Sequence, residues 1–158
     1  ARTADDAAAS KQARWLQAEI ELAAGGASRA AALLDAKSKE RPEMILAAEA
    51  AIAQRQPAPM VPVLRDWVAV HPRDATVWRT LANLYGAQND TLRAIRADAE
   101  ANVAILDYPA ARDRFKGAQE LVRKSGAPID HYEASIIDTR ARAVDVLVKQ
   151  QAEEPPLK

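Results

Sequence analysis

The sequence predicts an all-α fold, a right-handed solenoid of three to four helix pairs with a C-terminal capping helix. Three observations carry that expectation. Hydrophobic residues make up 49% of the chain but aromatics only 4%, and alanine dominates the apolar set. This composition suits helices packed closely through small side chains and is poor in the β-branched and aromatic residues that sheets favour. Caps and breakers mark off eight helical segments, and no stretch has the alternation of a half-buried strand. Helix pairs with short loops recur roughly every 34 residues, the mark of an internal repeat.

The expected helices run over about 4–24, 28–39, 43–54, 59–70, 75–88, 91–106, 108–124 and 130–150, forming one repeat domain over about 1–150 with a disordered tail over 151–158. The first carries Trp15, Leu16, Ile20 and Leu22 and is stopped by Gly25-Gly26, since glycine readily takes the left-handed conformation that ends helices. The second is closed by Pro42, and the third is alanine-rich with Met44, Leu46 and Ile52. The fourth starts among Pro57, Pro59 and Pro62, which fit only a first turn, and ends at His71-Pro72. Asp74 is a natural N-cap for the fifth, where Trp78, Leu81, Ala82 and Tyr85 share one face. Asp90 and Asp107 cap the next two, with stripes of Leu92, Ile95, Ala99, Val103 and Leu106, then Ala111, Phe115, Ala118 and Val122. After Gly126-Ala127-Pro128, Asp130 and Glu133 have capping-box spacing ahead of a last helix with the stripe Ile137, Ala141, Val144 and Val148.

Lys+Arg and Asp+Glu both number 22, so no global field draws the chain to nucleic acid or an anionic membrane. Cysteine is absent, which removes disulfides, thiolate zinc sites and thiol nucleophiles. No apolar run approaches the roughly 20 residues that span a bilayer, and residues 1–9 lack a signal-peptide core. Membrane insertion is not expected.

The segment Trp78-Arg79-Thr80-Leu81-Ala82-Asn83-Leu84-Tyr85 reproduces the W-x-x-L-G-x-x-Y pattern of tetratricopeptide repeats with alanine for glycine, and Ala94 and Ala101 stand where small helix-B residues belong. Ala30, Leu34 and Pro42, then Met60, Leu64 and Pro72, repeat a degenerate A-x-x-x-F element followed by proline. Asp98 departs from the pattern, and Ala111 lies half a repeat from Ala94, so the sixth helix fits either member of a pair. More narrowly, HPRD, W-x-x-L-A-x-x-Y, RAxRADAEA, DYPAA-x-x-x-F-x-x-AQEL and DHYEASIIDTR in this order resemble the C-terminal tetratricopeptide region of BepA-type periplasmic zinc metalloproteases, most strongly over residues 71–142. The resemblance implies a Gram-negative periplasmic setting and a role in outer-membrane protein quality control. It also implies protein or peptide partners, among them components and clients of β-barrel assembly.

The family's zinc motif H-E-x-x-H is absent, and His71 and His131 lie far apart without ligand spacing. No catalytic residue, metal ligand or cofactor is expected in this chain, zinc belonging only to a catalytic domain outside it. No nucleophile elbow or phosphate loop occurs either. Trp15, Trp67 and Trp78 are expected in the core, and the basic run Arg112, Arg114, Lys116, Arg123 and Lys124 on a solvated face. The expected function is protein binding, with a stand-alone scaffold or an oligomerisation module as the alternative. Candidate partner-binding residues are Thr76, Arg79, Asn83 and Gly86, which lie between the core-facing positions of the fifth helix. Arg79 and Asn83 resemble half of the carboxylate clamp of some tetratricopeptide proteins. Arg93 and Arg96 supply the other half if the sixth helix lines the same groove.

Overall fold

A computed structural model of the chain describes residues 2–125 and 130–154. Among them are eight helices and no strand: α1 (Arg2–Ala23), α2 (Ala27–Ala32), α3 (Arg41–Ala53), α4 (Met60–Val70), α5 (Ala75–Ala87), α6 (Thr91–Ala104), α7 (Tyr108–Lys124) and α8 (His131–Glu153). The all-α class expected from the composition therefore holds. The Gly126-Ala127-Pro128 break and residues 155–158 of the expected tail lie outside the described residues. The chain divides into two compact units, 1–66 and 67–158, separated within α4.

Four helix ends are built alike. After α1, α3, α5 and α6 a single residue takes positive φ: Gly25 at 79°, Arg55 at 60°, Asn89 at 60° and Leu106 at 64°. In each case the following N–H reaches back to the last helical turn, as in Asp90 N to Tyr85 O at 2.9 Å and Asp107 N to Asn102 O at 2.9 Å. This paired closure satisfies carbonyls that the helix end leaves open. Asp90 and Asp107 then cap the next helix, accepting from Arg93 N and Ala110 N at 3.2 Å each. Asp74 and Asp130 do the same at 3.3 and 3.0 Å. All four aspartate caps expected from sequence are formed.

In the first unit α1, α2 and α3 pack together around Ala18, Ala30 and Ala50, with Leu22, Leu33 and Leu34 at the margin. Methyl-sized contacts let the three backbones approach closely. Because Ala18 sets the buried side of α1, the inward positions are Lys11, Trp15, Ala18 and Leu22, and Leu16 and Ile20 are exposed. The second helix is much shorter than the expected 28–39. Asp35 turns the chain by accepting from Lys37 N at 2.9 Å, and its own N–H donates to Glu43 at 2.9 Å. Side-chain bonding of this kind competes with helix continuation. Pro42 therefore sits in the first turn of α3 and does not close α2.

In the second unit α5, α6, α7 and α8 pack in succession, and α6 also touches α8. Ala99, Ala111, Phe115, Ala118, Ile137, Ala141 and Val144 form the core, flanked by Leu92, Ile95, Val103 and Val148. This matches the expected stripes except at three places, the first being Val122 of the α7 stripe, which is half-buried outside this core. Leu106 lies past the end of α6 in the left-handed turn and is exposed. On α5 the buried face is Val77, Thr80, Leu81, Leu84 and Tyr85, rotated from the expected one because it centres on the two leucines. Trp78 falls on its flank, half-buried.

Candidate functional site

The turn between α4 and α5 shows what the HPRD segment does locally. Trp67 stacks on the exposed His71 ring with centroids 4.2 Å apart and donates Nε1 to Asp74 at 3.0 Å. Trp78 donates Nε1 to Pro72 O at 3.0 Å. The two indoles, expected in the core, clasp this turn, because an indole N–H needs an acceptor and finds one here in the Asp74 carboxylate and the Pro72 carbonyl. Both histidines are exposed, and no group of three metal-capable side chains occurs among the described residues.

Thr76, Arg79, Asn83 and Gly86 all lie on the exposed side of α5, opposite its buried face. Among the described residues Arg79 enters no ion pair. A Cβ added at Gly86 would meet nothing within 4 Å, so the surface there is low and open.

Arg93 and Arg96 are placed differently. Arg93 holds Asp90 at 2.9 Å, bonds Asp130 through its other terminal nitrogen, and keeps Nε 3.6 Å from Glu133. Arg96 donates Nε to the other oxygen of Glu133. Further along, Arg140 grips Glu100 with two bonds of 2.6 and 2.8 Å. The pairs form a ladder between α6 and α8: arginines early on α6 meet acids early on α8, and a later acid on α6 meets a later arginine on α8. That order means the two helices run parallel. Glu133 and Glu100 are buried, and buried carboxylates persist as ions only when paired. Hydrogen bonding to Asp90, joined by Asp130 and the Glu133 charge, holds the Arg93 guanidinium above its ordinary pKa despite burial. Glu100 does the same for Arg140. The Glu133 N–H and Arg93 hold Asp130 below the usual range.

The two halves of the suggested clamp thus keep different company. Arg79 and Asn83 face solvent on α5, and Arg93 and Arg96 are engaged by acids of α8 and the α6 cap. The α6 and α8 helices lie side by side in one direction, an arrangement that suits α6 as either member of a helix pair. Only the capping-box spacing at Asp130 and Glu133 hinted at the ladder, and the Glu133 carboxylate serves the arginines. A recess of about 610 Å³ lies beside it, lined by Asn89, Arg93, Leu121 and Asp130 among others. On the basic α7 face, Arg114 pairs with Asp98 at 2.9 Å, and Lys124 lies 3.6 Å from Glu120. No helix among the described residues is long and apolar enough to cross a membrane. Compared with protein-family models and with curated proteins, the chain matches none.

Proposed function

We propose that this chain is a non-catalytic protein-binding module of tetratricopeptide type, the partner-binding region of a periplasmic zinc metalloprotease engaged in outer-membrane protein quality control. The observation that carries it is the parallel, adjacent placement of α6 and α8, joined through an intervening α7. A parallel next-but-one pair such as α6 and α8 suits an array of stacked hairpins, whose open faces receive extended segments. The repeated left-handed joints and the burial of Leu81, Leu84 and Tyr85 from the W-x-x-L-A-x-x-Y segment support the same reading. The binding surface assigned to it is the open side of α5, where Arg79 and Asn83 stand one turn apart and can bond a carboxylate or peptide carbonyls. The protease, periplasmic and barrel-assembly parts of the proposal rest on the sequence resemblance, with zinc held by a catalytic domain outside these residues.

The test is photo-crosslinking of the chain to an unfolded outer-membrane β-barrel protein. Arg79→Glu combined with Asn83→Ala is expected to cut the crosslinked yield at least several-fold while the helical circular dichroism stays the same. A folded double variant that crosslinks as the parent does would remove this surface from the proposal. Failure of the parent to crosslink any such client would remove the function.

A further inference from the structure

The first unit holds a feature that the α5 surface does not use. Between α2, α3 and the start of α4 a cavity of about 170 Å³ opens to solvent. Alanine methyls form much of its lining, with Ala47 and Ala50 buried and Ala51 half-buried; Leu34, Pro59 and the buried Met60 complete the apolar part. Interiors are close-packed, with few voids larger than a water molecule. Here the gap exists because three positions of α3 carry only a methyl, and one leucine at position 51 would fill much of it.

Two properties say what the gap accepts. The first is size. A cavity of about 150 Å³ lined by apolar side chains takes up benzene, so this one has room for one leucine or phenylalanine side chain. The second is charge. None of its lining residues is ionisable, in a chain where 28% of residues are charged, so a charged group would enter without a partner and lose its hydration. Its polar lining consists of two glutamines, Gln54 and Gln56. Gln54 donates to Ser28 at 3.5 Å, which leaves its carbonyl oxygen as an acceptor, and Gln56 is exposed. A primary amide carries the donor and acceptor that match a peptide N–H and C=O.

We propose that this cavity is an anchor pocket for one neutral, bulky side chain, leucine or phenylalanine, of a partner segment whose backbone is held by the Gln54 and Gln56 amides. The inference rests on the protein-binding function and adds the chemistry of the partner, an uncharged apolar residue in a segment open enough to offer its backbone. A free apolar molecule could fill the cavity, but it would leave the two amides without peptide groups to bond.

The experiment follows the alanine methyl signals of the full chain by NMR during titration with the acetylated amides of leucine and phenylalanine. Shifts confined to Ala31, Ala47, Ala50 and Ala51, saturating at roughly millimolar probe, are expected for so small a ligand. The acetylated amides of alanine and aspartate should bind at least tenfold more weakly. Benzene alone should shift the same methyls and leave the side-chain amide signals of Gln54 and Gln56 unmoved, whereas the leucine probe should move both sets. Ala51→Leu should abolish the response while keeping the helical spectrum. No methyl shift with the parent chain, an equal response to the alanine amide, or an unchanged response in Ala51→Leu would each overturn the proposal. The Arg79→Glu, Asn83→Ala variant should titrate like the parent here, so failure of the pocket and failure of the α5 surface are read separately.

Discussion

Replacing Glu133 by alanine removes the carboxylate on which Arg93 and Arg96 converge. The Glu133 side chain is 3% exposed and that of Arg96 15%, so the change leaves a largely desolvated guanidinium without its acid. Breaking a buried pair from one side costs about 3 to 5 kcal/mol. The lower end applies here, about 3 kcal/mol, because Arg93 keeps Asp90 at 2.9 Å and Arg96 retains some contact with water. For a chain of this length each kcal/mol moves the melting midpoint by about 2 to 4 °C, so a fall of roughly 6 to 12 °C is expected by circular dichroism. Breaking the exposed Lys11–Glu40 pair with Lys11→Ala removes a contact of 2.6 Å, yet should cost less than about 1 kcal/mol. The discriminating variant is Arg96→Met with Glu133→Leu, which takes out both charges and keeps apolar volume. It should recover most of the loss, since buried ion pairs seldom outperform well-packed apolar substitutes. A Glu133→Ala chain melting within about 1 °C of the parent would show that the ladder is solvated. A double variant as unstable as the single one would show that packing, not charge, sets the cost.

Leu106→Gly should stabilise the chain, because Leu106 sits at φ 64° and is 59% exposed. Relief of the left-handed strain, less glycine's extra freedom in the unfolded state, leaves a gain of about 0.5 to 1 kcal/mol. A lower melting midpoint would mean that the leucine packs usefully. Glu43 gives the acid response a defined sign. Burial pushes its pKa up, but the Asp35 N–H, the Ser38 hydroxyl and the Arg14 charge together hold it below its ordinary value of 4.5. A carboxyl depressed in the folded state contributes stability above its unfolded pKa and loses it as pH falls through the folded one. Between about pH 5 and 3 the melting midpoint of Glu43→Gln should therefore fall less steeply than that of the parent. Parallel slopes would remove Glu43 from the acid response.

What the sequence by itself determined is local. Asp74, Asp90, Asp107 and Asp130 cap their helices as expected, because each bond joins a side chain to an N–H three residues on and needs no tertiary partner. Alanine-rich stripes on α6, α7 and α8 likewise announced a close-packed core, and Phe115, Ile137 and Val144 lie in it. Other features depended on neighbours far along the chain. Leu16, Ile20 and Trp78 are as apolar as the residues that became buried, and which side of α1 or α5 turned inward was decided by the helices packed against it. Arg55 and Leu106 took left-handed turns that their side chains do not favour, at points where the chain leaves one helix and must redirect toward the next, five and two residues on. The ladder joins residues 37 and 40 positions apart, and each of its acids and arginines, taken alone, reads as a solvated surface charge. The anchor cavity is likewise a property of packing: alanines on α3 are ordinary helix formers until α2 and the start of α4 leave their methyls facing a gap. Caps and breakers act within one turn, so the chain records them directly. Burial, ion pairing and cavities arise only when separate helices meet, and the tertiary structure alone decides them.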